Sequence, residues 1–430
     1  MKKISTVLPT CCIKGTISLA GDKSISHRLL LLSLIHRGKF LIENLSNCRD
    51  VETSRKIIQQ LGCRVSKEPS GLLKAEGIAR KVSAETHLLN CENSGTTARL
   101  LCGILAGIPG QFVLQGDSSL SGRPMNRLVL PLSLMGAEIS PTNGKLPIKI
   151  KGQSSLKAIN AVENKGSAQV KSALLFASTA ARGKSTIFQP RPSRDHSERI
   201  LQHLGARINC NKTLNILEGP FNSSSDFYFK VPGDISSAAF LIVAAILLPG
   251  SKITIENVLT NPGRIEFIEV LKKMGANICI KNIQEDFEPS ATVTAVYSPQ
   301  LHATSLKANQ IPFLIDELPI LSIAMAFAKG VSSVDGAEEL RHKESDRIGA
   351  ICQALSQAGI IIDEKEDGYQ IKGCKSITGG QTLKSASDHR IAAALSILAL
   401  KSKKGFNIEN LDCISISFPD FFSILQDLTK

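Results

Sequence analysis

Tryptophan is missing from the chain altogether, and only 3 tyrosines are present. Proteins that grip single-stranded nucleic acid stack bases on aromatic rings. That shortage, and basic residues that are dispersed rather than clustered, argue for small anionic ligands as the partners of a chain with net charge +13. No GxxxxGK[ST] phosphate loop, GxGxxG turn or HExxH pair occurs, so nucleotide, dinucleotide and zinc-peptidase chemistry are not signalled. The 11 cysteines are odd in number, scattered and without a CxxC pair. They give neither a zinc site nor a disulfide framework, and they read as reduced thiols of a cytoplasmic protein. The longest apolar run, Ala238 to Leu248, is too short to span a bilayer. The opening MKKISTVLPT has no apolar stretch before a cleavage site, so no signal peptide is expected.

What is present is repetition. The phrases QLGCRV, LMGAEI, HLGARI, KMGANI and QAGIII recur after amphipathic segments, with glycines at Gly62, Gly136, Gly205, Gly275 and Gly359. The spacing is about 70 residues, the last interval being longer. Each glycine suits the left-handed position just past a helix, with a short strand following. A second series interleaves: apolar runs end near Gly38, Gly110, Gly183, Gly250, Gly330 and Gly405, and a strand-like phrase follows each. The chain therefore holds about six copies of one α/β unit. A final amphipathic helix is expected over Pro419 to Leu428.

The apolar helices begin with GDKSISHR, ENSGTTAR, KGSAQVKS, GDISSAAF, LIDELPIL and SASDHRIA. Small polar residues cap helix starts. The run Ser236 to Leu248 is apolar on all sides and should be buried on all sides. Helix N-termini gathered at one place would attract anions; equally, they are simply capped core helices. No Pro/Ser-rich linker divides the chain. The phrases AGDKS and PGDIS resemble each other and lie about three units apart, which suggests paired hinge strands near 19–22 and 231–235. One domain is then expected over 20–233, and a second over 1–19 plus 234–430, with closure on a ligand possible.

Basic residues fall at equivalent points of the units: Lys23, Arg28, Arg99, Arg123, Arg194, Arg341, Lys343, Arg347 and Arg390. Arginine forks hold carboxylate and phosphate, whereas an isolated arginine is usually solvated. Two acids stand apart. Asp316 lies in an apolar helix start, where it reads as an N-cap or as a base; Glu344 lies among Arg341, Lys343 and Arg347. Such a pair can act as base and acid. His389 is a further proton carrier or a structural hydrogen-bonding group.

Taken in order, GDKSISHR, NSGTTAR, GRPM, GSAQVKSALL, SRDHSER, PGDISSAAF, IDELP, KESDRI, SDHRIA and SFPDFF closely resemble the 5-enolpyruvylshikimate-3-phosphate (EPSP) synthase family along the whole chain. The resemblance implies a two-domain inside-out α/β barrel fold with three repeat units per domain and substrates in the cleft between the domains. It implies transfer of the enolpyruvyl group of phosphoenolpyruvate to shikimate 3-phosphate, through a tetrahedral intermediate, on the shikimate pathway to chorismate and aromatic amino acids. No metal or organic cofactor is implied, and a monomer is expected. By position, Lys23, Asp316 and Glu344 resemble the catalytic residues: Lys23 touches both substrates, Asp316 is the base and Glu344 the acid. Ser24, Arg28, Ser167, Ala168, Gln169, Arg194 and Lys343, with Lys23 and Asp316, resemble the shikimate 3-phosphate site. Gly95, Arg123, Arg347 and Arg390, with Lys23 and Gln169, resemble the phosphoenolpyruvate site.

Three positions depart from the family pattern. Ala168 stands where many members have serine, Glu92-Asn93 where many have Gly-Asn, and Ile416 where some have lysine. Glu92 should turn away from a phosphate. Gly95 is the position whose alanine replacement gives glyphosate tolerance in other members, so glyphosate sensitivity is an expectation here. Two rival readings are the enolpyruvyl transferase acting on UDP-N-acetylglucosamine, which normally has a cysteine in the loop that here reads GDSSLSGRPM, and a basic nucleic-acid-binding protein, which would leave the paired helix starts unexplained.

Overall fold

The computed structural model describes residues 3–429. In chain order the helices are α1 (Lys23–Leu32) and α2 (Arg49–Gln60); α3 (Gly95–Ala106), the single turn α4 (Ser118–Ser121) and α5 (Asn126–Leu134); α6 (Ala168–Ser178) and α7 (His196–His203); α8 (Ile235–Leu247) and α9 (Glu266–Lys273); the single turn α10 (Ile311–Leu314), α11 (Leu318–Ala326) and α12 (Arg347–Gln357); and α13 (His389–Lys401) and α14 (Phe421–Leu428). They alternate in kind. The helices α1, α3, α6, α8, α11 and α13 are almost wholly buried, whereas α2, α5, α7, α9, α12 and α14 bury one face. The last begins at Phe421, two residues inside the expected start. The most apolar, α8, buries every residue it contains.

The chain separates into two compact units, Ala20–Val231 and the segment through Leu19 joined to that from Pro232 onward. Among the described residues the strands form six separate open sheets, and none closes into a barrel. The second sheet of the 20–231 unit shows the common pattern. Thr86–Asn90 runs parallel to Gly110–Gln115, with the buried α3 as the crossover. Lys145–Gly152 then pairs antiparallel with Gly110–Gln115, and Glu138–Thr142 with Lys145–Gly152. Exposed and buried residues alternate strictly along Lys145–Gly152, so one face meets the core and the other meets water. In the first sheet of each unit the outer parallel strand comes from far along the chain. Phe227–Lys230 pairs with Lys39–Glu43, and Lys14–Ser18 pairs with Lys252–Leu259.

Within each unit the buried helices pack on one another. The approach of α3 to α6 is tight: a Cβ on Gly103 would lie 2.0 Å from the Ala173 carbonyl oxygen, so only glycine permits it. The five glycines of the repeated phrase all have φ between 85° and 103°, in the left-handed region that ends a helix. At Gly62, Gly136, Gly205 and Gly359 a Cβ would touch nothing, so backbone conformation, not space, selects glycine there. All 11 cysteines are free, and among the described residues no helix is long and apolar enough to cross a membrane.

Candidate active site

In the 20–231 unit the buried helices bring their capped N-termini and the loops beside them into play. Asp22 caps α1, its carboxylate accepting from the Ile25 amide at 3.0 Å. The first helical residue, Lys23, forms an ion pair with Asp50 in the first turn of α2. One turn on, Arg28 is buried; its Nε donates to Ser197 Oγ at 2.7 Å, and its two Nη atoms donate to Ser172 Oγ and the Ser24 carbonyl, each at 2.8 Å. His27 is wholly enclosed, with Nδ1 2.8 Å from Ser54 Oγ. Burial first, and the charge of Lys23 second, push its pKa down to about 3, so the ring is neutral.

Ser94 caps α3 and Ser167 caps α6, accepting from Thr97 and Val170 amides respectively. Gln169 ties the two helices together: its Oε1 accepts from Arg99 Nη1 at 2.8 Å and its Nε2 donates to Thr96 Oγ1 at 2.9 Å. At Gly95, the first residue of α3, a Cβ would lie 2.9 Å from Arg99 Nη1 and 3.0 Å from Arg123 Nη1. Arg123 is largely buried, and its Nη2 donates to Asn93 Oδ1 at 3.4 Å. Ala168 opens α6 with no polar side-chain atom, so it can offer a ligand only its backbone. The carbonyl of Arg194 accepts from Lys171 Nζ at 2.9 Å, and Lys171 also pairs with Glu198 at 2.5 Å, both deeply buried. Glu92 does turn to a cation: its carboxylate accepts from Arg49 Nε at 2.8 Å. Its φ of 49° is one that glycine adopts freely, which explains why glycine suits that position.

The second unit holds a denser set of charges. The N-cap position of α11 falls on Glu317 rather than Asp316, with Pro319 in the first turn. Asp316 precedes it, and its Oδ1 lies 3.6 Å from both Arg347 Nη1 and Arg390 Nε. Its carbonyl accepts from Arg390 Nη1 at 2.8 Å. Arg347 opens α12, fully buried, and pairs with Glu344 at 2.5 Å and with Asp388 at 2.8 Å. Three carboxylates about one guanidinium outweigh the cost of burying it and raise its pKa. Lys343 follows a short helical turn, Glu338–His342. Burial, reinforced by Arg347 and opposed by Asp316 and Glu344, lowers its pKa. Ile416 ends the turn Leu411–Ile416 and adds no charge.

Thus Asp316, Glu344, Arg347 and Arg390 make one cluster, and Ser167, Gln169 and Arg99 make another with the start of α3. Three contributors escaped the sequence reading. Asp50 pairs with Lys23, and Arg264 donates to Ser236 Oγ at 2.9 Å, which in turn donates to the buried Glu317. Asp388 caps α13, accepting from the Arg390 amide at 2.9 Å while it holds Arg347. Only Asp388 left a readable signal, because an aspartate just before an apolar helix is a cap by position. Among the described residues no group of three or more His, Cys, Asp or Glu is placed to hold a metal ion.

A family model described as EPSP synthase (3-phosphoshikimate 1-carboxyvinyltransferase) matches residues 9–425. The chain is 40% identical to the 3-phosphoshikimate 1-carboxyvinyltransferase of Thermotoga neapolitana, with 98% of each covered. It is 41% identical to that of Syntrophomonas wolfei, with 100% of each covered. Among solved structures, the EPSP synthase of Acinetobacter baumannii superposes with a TM-score of 0.88 at 34% identity, covering 100% of this chain and 98% of the other. The enolpyruvyl transferase NikO of Streptomyces tendae gives 0.81 at 16% identity, covering 100% and 98%, which is a likeness of fold alone.

Proposed function

The chain belongs to the EPSP synthase (3-phosphoshikimate 1-carboxyvinyltransferase) family, and from that membership we propose that the two sets of residues above act on one pair of ligands. The reaction transfers the enolpyruvyl group of phosphoenolpyruvate to the 5-hydroxyl of shikimate 3-phosphate and releases phosphate. Adding an alcohol across the double bond of an enol phosphate requires a proton delivered to the methylene carbon and one removed from the hydroxyl. Glu344 is the proposed acid and Asp316 the proposed base. One observation carries this assignment: both carboxylates address the same guanidinium, Arg347, at 2.5 and 3.6 Å. Elimination of phosphate from the tetrahedral intermediate then reverses the two roles.

Arg123, Arg347 and Arg390 are proposed to hold phosphoenolpyruvate beside Gly95, with Gln169 and Lys23 shared between ligands. Ser24, Arg28, Ser167, Ala168, Gln169, Arg194, Asp316 and Lys343, with Lys23, are proposed for shikimate 3-phosphate. Each charge-assisted hydrogen bond contributes roughly 1.5–3 kcal/mol, so several together can hold two multiply charged ligands side by side. We take the working species to be a monomer. Unpaired cysteines throughout fit a reducing compartment, the cytoplasm.

The test is phosphate release from phosphoenolpyruvate, measured with shikimate 3-phosphate and again with UDP-N-acetylglucosamine. Release should depend on the first acceptor; dependence on the second alone would overturn the reading. Arg123→Ala should weaken phosphoenolpyruvate far more than shikimate 3-phosphate, and equal weakening would break the partition of residues between ligands.

A further inference from the structure

Beneath the start of α6 lies a carboxylate that none of the roles above uses. Glu163 follows the strand Asn160–Val162 and is only 6% exposed. Its Oε1 accepts from the Lys165 amide at 3.2 Å, and its Oε2 accepts from the Ser167 amide at 2.8 Å. Those two bonds fold the 165–167 turn, in which Gly166 has a φ of 69°. A turn needs no more than these. The same Oε2 also accepts from Gln189 Nε2 at 2.8 Å, from a residue 26 positions away.

Gln189 is as buried as the core, at 1% exposure. It follows the strand Ala181–Phe188, which runs parallel to Asn160–Val162. Its Oε1 accepts from Ser193 Oγ at 2.8 Å, next to Arg194. Its Nε2 also donates to the Ser167 carbonyl at 3.4 Å. One carboxylate and one amide therefore tie the Ser167–Gln169 helix start to the loop that carries Arg194, and both are rooted at the ends of neighbouring strands. Their donor and acceptor directions are matched: two main-chain N–H groups and an amide N–H all point at one acidic group, and only an acceptor-only side chain can satisfy all three.

We propose that Glu163 is a positioning residue for shikimate 3-phosphate, holding the Ser167–Gln169 turn and the Arg194 loop at the separation that binds this ligand. The inference rests on the assignment of Ser167, Gln169 and Arg194 to that ligand. Glu163 acts only through those residues; Ser167 and Arg194 are assigned to shikimate 3-phosphate alone and only Gln169 is shared, so its loss should weaken shikimate 3-phosphate far more than phosphoenolpyruvate and leave the chemistry unchanged.

The experiment uses the full chain and measures kcat and both KM values for Glu163→Gln, Gln189→Met and Arg194→Ala, with melting temperatures. Glu163→Gln turns an amide N–H toward an existing N–H donor. It should raise KM for shikimate 3-phosphate by about tenfold, while KM for phosphoenolpyruvate and kcat stay within about threefold of wild type. Gln189→Met keeps the turn and removes only the cross-link, so it should move the same KM by a smaller factor; it also serves if Glu163→Gln does not fold. A general loss of structure would instead move both KM values or kcat. If Arg194→Ala raises KM for shikimate 3-phosphate but Gln189→Met and any folded Glu163→Gln leave it unchanged, or raise both KM values alike, the proposal is overturned. If Arg194→Ala itself leaves that KM unchanged, the site assignment beneath the proposal fails, and the proposal with it.

Discussion

Arg28 and Arg347 are both buried guanidiniums, 3% and 1% exposed, yet they are housed in opposite ways. Hydroxyls and a main-chain carbonyl hold Arg28 at 2.7–2.8 Å. Carboxylates surround Arg347: Glu344, Asp388 and Asp316. The three bonds of the first housing fix the orientation of a cation that is proposed to hold an anionic ligand. The second places two proposed proton carriers against a cation whose charge they already share. Position and orientation dominate in the first region, and charge balance dominates in the second. Removing a neutral partner should therefore be mild, and disturbing the acidic cluster severe.

The sharpest way to break this contrast is Glu344→Gln. Turnover should fall by about 10²–10⁴-fold while both substrates still bind; near-normal turnover in a steady-state assay would remove Glu344 as the acid. Next comes Asp388→Asn, which leaves a buried Arg347 short of one partner and loosens the start of α13. Stability measured by denaturant unfolding should drop by about 3–5 kcal/mol, with a larger loss of affinity for phosphoenolpyruvate than for shikimate 3-phosphate. In the other region, Ser197→Ala removes one neutral acceptor from Arg28 and should cost only about 0.5–1.5 kcal/mol, read as a rise in KM for shikimate 3-phosphate of about tenfold or less. An effect as large as that of Asp388→Asn would erase the distinction.

The gentlest test uses pH. His27, neutral in the fold with its pKa pushed down to about 3, takes up a proton near its ordinary 6.5 only when unfolded. The unfolded chain thus binds more protons between those values. The contribution is fully present above pH 6.5 and is lost as pH falls toward 3, at about 1.4 kcal/mol per pH unit. Unfolding free energies of wild type and His27→Asn, compared between pH 7 and 5, should diverge by that slope. Parallel pH curves would mean that His27 binds its proton equally well folded and unfolded, and would overturn the neutral buried ring.

The helix starts that carry many of the candidate residues could be read in the chain. Asp22, Ser94, Ser167 and Asp234 cap where the small polar phrases place them. The ambiguity at Asp316 was of another kind. Two adjacent acids, Asp316 and Glu317, are equivalent to any local rule, and only the packed structure assigns one to the N-cap position and turns the other toward Arg347 and Arg390. Glu163 shows the same limit, since its decisive partner is 26 residues away.

By itself the sequence determined the repeat, the alternation of buried and half-buried helices, their caps and their glycine ends. These depend on periodicity and on φ, which act over a few neighbouring residues. Tertiary structure alone decided the pairings: Lys23 with Asp50, Arg347 with Asp388, Glu163 with Gln189. With 51 basic and 38 acidic residues, charge attracts every possible pair alike. Which carboxylate meets which cation is fixed only when burial strips away water and the packed helices limit which partners each group can reach.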